Sequence, residues 1–338
     1  MNFSEIFNKL EQNKNTSKDD RILIVDSLNS FLRVWASVPQ ISESGEHVGG
    51  IVGFLRSIAL NIREFNPSRC ILVFDGNGGS ARRRKLYPEY KSNRTNKHNI
   101  RREGFSTVEE EQISMHNQMI RLHQYLELLP VQIVVVDNIE ADDAISFITK
   151  NFEDKSKKIR IVSTDRDFLQ LINDKVEVYS PVKKKLYNIN ELEEEFKIKQ
   201  NNYLLHRMVE GDVSDNIPGV RGVGLKSLLK TFPQLNSELM EFEDLLRLSQ
   251  EEPNPKGIHK KILEHKDELE RNYKLMQLTE VQIGFDSKQR ILNLINQETN
   301  KLNRLQFKRY LIEDRISTFK NVDDWLITSF SGLNSWIH

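Results

Sequence analysis

Several features that would define common protein classes are missing from this 338-residue sequence. Cys70 is the only cysteine, so no intramolecular disulfide can form and a reducing compartment is expected. It lies in the apolar run 70–74, where a buried structural thiol is favoured over a reactive one. No apolar run approaches the roughly 18 residues that cross a bilayer, and residues 1–20 lack the apolar core of a signal peptide. The sequence therefore predicts a cytoplasmic protein without membrane association.

A net charge is also missing, because 49 Lys and Arg residues balance 49 Asp and Glu residues. This balance does not exclude a nucleic-acid partner, since the placement of the charges matters more than their sum. The eight histidines show no zinc-like spacing. The sequence also contains no Walker loop and no G-x-S-x-G elbow. These absences argue against a zinc module, a P-loop nucleotidase and a serine hydrolase.

Four short apolar runs, mostly of β-branched residues, predict central β-strands at 22–25, 71–74, 133–136 and 159–162. Helical stretches such as 52–65 and 112–129 lie between them. This alternation predicts an α/β fold with a mostly parallel, doubly wound sheet. From about residue 201 the sequence becomes helical. We therefore predict an N-terminal extension at 1–20, an α/β domain at 21–200 with an insert at about 77–118, and a helical region at 201–338.

Acidic residues follow every one of the four runs. They are Asp26, Asp75, Glu140, Asp142, Asp143, Asp165 and Asp167. Ligands of open parallel sheets bind at the carboxyl ends of the strands, so these seven acids are expected to converge. Their mutual repulsion would be relieved by hard divalent cations, and two ions roughly 4 Å apart fit the number of acids. The alternative for any single acid is that it caps the following helix.

The segment 82–102 is strongly basic, with nine Lys and Arg residues against one Glu, a local charge of nine minus one. The basic residues are Arg82, Arg83, Arg84, Lys85, Lys91, Arg94, Lys97, Arg101 and Arg102. Tyr87 and Tyr90 lie among them. Cations mixed with aromatic rings suit single-stranded nucleic acid, whose phosphates pair with charges and whose bases stack on rings. A solvated charged surface is the alternative.

A glycine-rich segment at 216–226 predicts a phosphate-binding turn between two helices. Its candidate contacts are Gly219, Arg221, Gly222, Gly224 and Lys226. The glycines permit a tight turn that leaves backbone N–H groups open to a phosphate. This pattern is typical of a helix-hairpin-helix that grips a duplex without reading bases, and we place it at about 204–230. An ordinary helix connection is the alternative. Upstream, Asp212 and Asp215 could reach the predicted metal site.

Five motifs in this order resemble the 5′-nuclease (flap endonuclease) family. They are Leu23-Ile24-Val25-Asp26, Phe74-Asp75-Gly76, Glu140-Ala141-Asp142-Asp143, Ser163-Thr164-Asp165-Arg166-Asp167 and the stretch from Gly211 to Gly219. The family includes the 5′-nuclease domain of bacterial DNA polymerase I and phage 5′-exonucleases, among them the T-even-type phage ribonuclease H. The resemblance spans about residues 21–230. The size and the absence of a polymerase part favour a stand-alone phage enzyme, which would act in the host cytosol.

The resemblance implies a PIN-like fold, a helical arch and a two-metal site. By position, Asp26, Asp75, Glu140 and Asp142 would serve one ion, and Asp143, Asp165, Asp167, Asp212 and Asp215 would serve the other ion or its waters. Residues 88–94 resemble the arch segment that contacts the scissile phosphate, which gives Lys91 and Arg94 catalytic roles. The implied cofactors are two Mg²⁺, for which Mn²⁺ could substitute, and K⁺ at the hairpin.

These features predict a structure-specific 5′-3′ exonuclease and flap endonuclease that removes primers during lagging-strand replication. The predicted partners are DNA with a 5′ flap, nick or primer and RNA–DNA hybrids, with a sliding clamp or a single-strand-binding protein as further candidates, and the predicted state is a monomer. A PIN-like ribonuclease, a non-catalytic scaffold for branched DNA and a small-molecule phosphatase are the alternatives. Trp325, Leu326, Ile327 and Phe330 are expected to pack onto the body, with a partner-binding peptide as the alternative.

Overall fold

The computed structural model describes residues 21–96 and 105–336. Within these ranges the main sheet has six strands in the order β3-β2-β1-β4-β5-β6. The strands are β1 (Arg21–Asp26), β2 (Arg69–Asp75), β3 (Gln132–Val136), β4 (Lys158–Val162), β5 (Val176–Ser180) and β6 (Lys185–Tyr187). The predicted extension at 1–20 and the predicted arch residues Lys97, Arg101 and Arg102 lie outside the described residues.

The predicted mostly parallel sheet is confirmed. Strands β1 to β5 are parallel to their neighbours, and only β6 pairs antiparallel, with β5. The four predicted apolar runs form β3, β2, β1 and β4. The prediction that all four are central is wrong for 133–136, because β3 lies at one edge of the sheet. In β1, Leu23 pairs with Cys70 on one side and with Arg160 on the other, so this strand is covered along both edges.

Fourteen α-helices are present in the described ranges. They are α1 (Ser27–Ser37), α2 (Gly49–Phe65), α3 (Ala81–Leu86), α4 (Val108–Leu126), α5 (Ala141–Glu153), α6 (Ile189–Phe196), α7 (Tyr203–Glu210), α8 (Leu225–Thr231), α9 (Phe242–Glu251), α10 (Gly257–Glu264), α11 (Lys266–Met276), α12 (Phe285–Asn296), α13 (Arg304–Glu313) and α14 (Val322–Phe330). Short 3₁₀ helices include Ser92–Asn96 and Arg166–Leu171. Two-residue strands, β7 (Gly211–Asp212) and β8 (Ile217–Pro218), pair antiparallel after α7.

Local sequence explains where several of these helices begin and end. Asp26 caps α1 by accepting a hydrogen bond from the Asn29 backbone N–H, at 3.4 Å. The Thr107 hydroxyl caps α4 in the same way, accepting from the Glu110 N–H at 3.1 Å. Helix α2 ends at Asn66, which adopts the left-handed conformation that asparagine tolerates. Asp26, the last residue of β1, therefore also fixes where the following helix begins.

The sheet separates two apolar cores, because alternate residues of each strand point to opposite faces. Ile22 and Ile24 of β1 belong to one core, with α5 and helices α7 to α12. Leu23 and Val25 belong to the other, with α1, α2, α4, α13 and α14. Residues from beyond position 200 complete both cores. The division into an α/β domain and a helical region therefore stays a prediction. In the structure, residues from both sides of position 200 pack in the same cores.

The carboxyl-terminal helix packs on the body. Leu326 and Phe330 of α14 are fully buried in the core that contains α2, and Trp325 is partly buried there. Ile327 is the exposed member of the predicted group, with 41% of its surface accessible. Within residues 21–96 and 105–336, every helix is too short or too polar to cross a bilayer.

Candidate active site

The carboxyl edge of the parallel sheet and the loop beside it gather acids from five chain segments. Asp26 and Asp75 are the last residues of β1 and β2. Glu140 directly precedes α5, whose first turn carries Asp142 and Asp143. Asp165 caps the 3₁₀ helix Arg166–Leu171, which contains Asp167, and the loop after α7 carries Asp212 and Asp215.

Asp26 lies at the buried base of this group. It accepts a hydrogen bond from the Ser163 hydroxyl at 2.7 Å, in addition to its capping bond. The pKa of Asp26 is raised to about 6, chiefly by burial; the Ser163 hydrogen bond opposes this rise and the negative charge of Asp75 contributes to it. Asp75 is exposed and accepts a hydrogen bond from the Ala141 backbone N–H at 2.9 Å.

Two further acids, Asp165 and Asp142, share the same unfavourable environment. Burial raises the pKa of Asp165 to about 8, and the charges of Asp167, Asp215 and Asp212 add to the rise. Burial also raises the pKa of Asp142, where Asp165 and Glu140 supply the repulsion and Lys91 opposes it. A nearby positive charge would stabilise the ionised forms of these carboxylates and offset both the burial and the mutual repulsion.

Glu140 and Asp143 are neutralised differently, by the buried guanidinium of Arg83. Arg83 forms a bidentate pair with Asp143, at 2.9 and 3.0 Å, and an ion pair with Glu140. Its Nε donates to the Leu275 carbonyl of α11 at 2.9 Å. Burial alone would raise the pKa of Glu140, but Arg83 and Lys91 lower it to about 2. Arg83 therefore ties α3, the acid pair and α11 together.

Lys91 and Arg94 contact the acids directly. The Lys91 ammonium lies 2.5 Å from Glu140 Oε1 and 4.0 Å from Asp215 Oδ2. Arg94 forms an ion pair with Asp215, whose other oxygen accepts from the Tyr90 hydroxyl at 3.1 Å. The Lys91 backbone has a positive φ of 57° and its N–H donates to the Asp215 carbonyl at 2.9 Å. The beginning of the predicted arch is thus docked on the 212–216 loop.

A second buried arginine organises the acids on the other side. Arg207 of α7 donates to Asp167 at 2.8 Å and to Asp212 at 2.7 Å. Asp212 also accepts from the Ser214 N–H at 2.7 Å. Burial would raise the pKa of Asp212, but Ser214 and Arg207 lower it. Arg207 fixes the distance between the sheet edge and the loop that carries Asp212 and Asp215.

The carboxylate oxygens at the sheet edge suit a hard divalent cation, although in this structure the carboxylates are not gathered around one point. In the part of the chain that the structure describes, no three carboxylate, imidazole or thiol groups form a ready coordination group. The acids instead alternate with Lys91, Arg83 and Arg207. All of the gathered ligands are carboxylate oxygens, which Mg²⁺ and Mn²⁺ prefer, and the raised pKa values of Asp26 and Asp165 provide the electrostatic reason to bind one.

The predicted nucleic-acid contacts before residue 91 occupy two different environments. Arg84 and Lys85 are exposed on α3. Arg82 is half-buried and donates to Asp143 at 3.1 Å. Tyr87 packs under the Arg271 guanidinium, 4.4 Å from its ring centre, whereas Tyr90 is buried with its hydroxyl bonded to Glu140 and Asp215. Arg83 and Tyr90 are therefore occupied by protein acids, and Arg84 and Lys85 face solvent.

The predicted hairpin is a turn between α7 and α8, with Arg221, Gly222, Gly224 and Lys226 exposed. Gly222 has a φ of 76°, which favours glycine, and a Cβ on Gly219 would lie 2.0 Å from the Glu210 carbonyl oxygen. Two backbone carbonyls of this segment already accept protein donors. Lys261 donates to the Arg221 carbonyl at 2.7 Å, and Asn272 donates to the Pro218 carbonyl at 2.8 Å. A K⁺ ion would have to use other carbonyls of the turn.

The sequence did not point to Ser163, Arg207 or Lys261 as parts of the site. Ser163 lies in a quoted motif, but its bond to Asp26 joins residues 137 positions apart. Arg207 lies inside a helix, and no local pattern distinguishes it from the exposed basic residues. The one signal in the sequence is indirect: the predicted acid cluster has too few predicted cations, which implies that buried arginines lie nearby.

Comparison with known proteins gives relatives of consistent description. A 5′-3′ exonuclease of Aquifex aeolicus is 26% identical over 86% of this chain and 94% of its own length. Flap endonuclease Xni of a Shewanella strain is 29% identical over 77% and 90%. Among solved structures, the bacteriophage T5 5′-exonuclease with divalent zinc bound covers 81% of this chain and 99% of its own, with 21% identity and a TM-score of 0.62, which shows a shared fold.

A family model provides the wider assignment. The model for the 5′-3′ exonuclease N-terminal resolvase-like domain matches residues 21–197, more than half of the chain. This range contains the whole parallel sheet and the acids of its carboxyl edge, from Asp26 to Asp167. The chain therefore belongs to the 5′-3′ exonuclease N-terminal domain family.

Proposed function

We propose that this protein is a structure-specific 5′-nuclease that hydrolyses phosphodiesters near the 5′ end of a DNA strand. One observation carries the proposal: the sheet edge and the 212–216 loop gather nine carboxylates. Two of these, Glu140 and Asp215, form ion pairs with Lys91 and Arg94. Relatives described as 5′-3′ exonuclease and flap endonuclease support the same activity.

The carboxylates and the basic side chains would have different roles in the reaction. Divalent cations held by Asp26, Asp75, Asp142 and Asp165 would supply a bound water of lowered pKa and stabilise charge on the reacting phosphate. Lys91 and Arg94 now neutralise Glu140 and Asp215, and an incoming phosphate competes for the same ammonium and guanidinium groups. These two side chains would orient the phosphate and offset charge in the transition state. Asp143 stays paired with Arg83 and acts through position.

Two exposed basic surfaces would hold the substrate. Arg84 and Lys85 on α3 lie on the side of the single-stranded 5′ end, and the hairpin offers Arg221 and Lys226 to the duplex backbone. Under this division, residues 21–200 carry catalysis and residues 201–338 carry most of the duplex contact. A solved relative, the bacteriophage T5 flap endonuclease, is described in complex with DNA and metal ions.

The finer parts of the proposal concern cofactors and partners. We propose two Mg²⁺ ions, with Mn²⁺ as a substitute, and K⁺ on carbonyls of the hairpin. The proposed substrates are flapped, nicked and primed duplexes and RNA–DNA hybrids, as in primer removal during phage replication. A monomer would carry out the reaction, and a sliding clamp or single-strand-binding protein would be its replication partner.

The test is cleavage of 5′-labelled flap, nicked and RNA-primed duplexes, with unstructured RNA as a comparison. With Mg²⁺ the protein should release short 5′ products from the duplex substrates, and EDTA should abolish release. Binding of flap DNA without any cleavage in Mg²⁺ or Mn²⁺ would contradict a nuclease. Preferential cutting of unstructured RNA would contradict structure-specific action on duplex ends.

A further inference from the structure

A solvent-open apolar hollow lies directly beside the carboxylate site, on the side of the edge strand β3. Its volume is about 520 Å³, within the roughly 300–1,000 Å³ of ligand sites. Its apolar wall consists of Leu28, Phe74, Met119, Ile120 and Val135. Asp75, one of the acids at the sheet edge, also lines it. The hollow is therefore continuous with the proposed site of phosphodiester hydrolysis.

The wall exposes apolar groups that a folded chain normally covers. Ile120 is 50% exposed and Val135 is 45% exposed, although Val135 belongs to a strand of the main sheet. Phe74 is held in place by stacking on Phe54, with ring centres 6.4 Å apart. The apolar surface is thus a fixed part of the fold, set between α4 and the end of β2.

Polar groups lie at the rim of the hollow. His123 and Gln124 of α4 complete the lining, and His123 is exposed. An imidazole and a carboxamide can each donate or accept hydrogen bonds. An apolar wall with donors and acceptors along one border matches a flat group that has apolar faces and a polar edge.

From these features we propose that the hollow binds an unpaired nucleobase of the 5′ strand, next to the scissile phosphate. The inference rests on the proposed nuclease function, because a phosphate bound beside Asp75 brings its own nucleotide's base, or that of its neighbour, to this wall. The aliphatic lining accepts the apolar face of every base, so binding is tolerant of sequence. Ile120 and Val135 are positioning residues: they hold the unpaired strand, and the carboxylates act on it.

The experiment combines substrates that lack one base with variants of the wall. Flap substrates carry a single abasic residue at each position around the scissile phosphate. In the wild-type full-length protein, one of these positions should lower kcat/KM about fivefold or more, while the others have little effect. Ile120→Asn and Val135→Thr should cause a similar loss on the intact flap and no further loss when that base is missing.

The control variant is Ile312→Asn, an equally drastic change at an isoleucine that is 77% exposed on α13, outside the hollow. It should leave cleavage of every substrate unchanged, and thermal unfolding checks that all variants fold. Equal wild-type cleavage of all abasic substrates overturns the inference, as does a variant loss that is the same with and without each base. A wild type that cleaves no flap at all overturns the proposed function, and the inference falls with it.

Discussion

Individual carboxylates at the sheet edge differ in how they are neutralised. Glu140 and Asp143 face buried cations of the protein, so their charges are compensated within the fold. Asp26 and Asp165 have hydrogen bonds but too few cations, and burial raises the pKa of each. Fixed negative charge without a partner costs stability, and this cost is kept where a cation is to be bound.

Replacing Asp142 separates the cost of a buried carboxylate to stability from its use in binding a cation. Asp142→Asn keeps the shape of the side chain and removes its charge. The pKa of the Asp142 carboxyl group is raised by burial and by the repulsion of Asp165 and Glu140. We expect flap cleavage to fall at least about 100-fold, since even outer partners of a metal cost roughly 10–100-fold. Flap binding should persist, and the metal-free variant should melt at a higher temperature than the wild type.

The matched control is Asp154→Asn at the other end of the same helix, where the side chain is exposed. It should change neither cleavage nor melting. Cleavage by Asp142→Asn at a near wild-type rate would remove this acid from the site.

His206 predicts that the stability of the protein depends on pH. Burial lowers the pKa of His206 to about 4 from an ordinary value of 6.5, while Glu210 opposes this and Arg166 and Arg207 add to it. Between these values the unfolded chain binds a proton that the folded chain does not. The free energy of unfolding should therefore fall as the pH drops from about 6.5 to about 4, and the term is absent above 6.5.

His206→Leu should remove this term. Between about pH 7.5 and pH 5 the wild type should lose on the order of 2 kcal/mol more than the variant in urea unfolding. His116→Leu, at an exposed histidine of α4, should behave as the wild type. Equal pH slopes for the wild type and His206→Leu would mean that the pKa of His206 is not lowered in the folded protein.

At the scale of elements, the sequence predicted four strands of the sheet, including the edge strand β3, and missed β5 and β6 at the opposite side. The four predicted strands are continuous or nearly continuous apolar runs, as is typical of strands covered on both faces, although Val135 of the edge strand β3 is 45% exposed. β5 was not recognised since Glu177 interrupts it; Glu177 is buried against Arg160, which donates to it at 2.7 Å. That pairing depends on strand order, which local sequence does not contain.

Helix α3 shows the same limit in a basic segment. Arg82, Arg83, Arg84 and Lys85 are consecutive, and their sequence offers no reason to separate them. The helix turns by about 100° per residue, so Arg83 is buried against Glu140 and Asp143, while Arg82 is half-buried and reaches Asp143 alone. The segment was predicted to bind nucleic acid as a whole, whereas the structure gives Arg83 a structural partnership and leaves Arg84 in solvent.

The adjacent arginines provide a matched pair of variants. Arg83→Met removes the fully buried cation that Glu140 and Asp143 share and leaves them only Lys91 and the half-buried Arg82, so it should lower the free energy of unfolding by about 3–5 kcal/mol. Arg84→Met should leave stability unchanged and weaken flap binding, more at low salt than at high salt. Chemical unfolding and salt-dependent binding of both variants measure the difference. Equal stability of the two would mean that the buried ion pairs do not form.

At the scale of the whole molecule, segments remote in sequence close the sheet from both sides. Arg69 and Gln132 of neighbouring strands both donate to the Ile295 carbonyl of α12, at 3.0 and 2.6 Å. On the other face, Phe307 of α13 stacks edge-on against Tyr125 of α4 at 5.0 Å. The sequence motifs end near residue 230, so they do not predict how these later helices pack. The sheet carries the site, but helices from the last hundred residues cover its faces.

Phe330 tests whether this closure supports the entire fold. Its ring is fully buried on α14 beside Trp325, with ring centres 5.6 Å apart. Phe330→Ala should lower the free energy of unfolding by about 3–5 kcal/mol, as expected for a large cavity in a core shared with β1 and α2. Ile327→Ala, on the exposed side of the same helix, should cost less than about 1 kcal/mol. If Phe330→Ala left global unfolding unchanged and only loosened α14 in hydrogen exchange, the helix would be an appendage free to engage a partner; a cooperative loss across the strands would show that the nuclease edge depends on the chain's last helix.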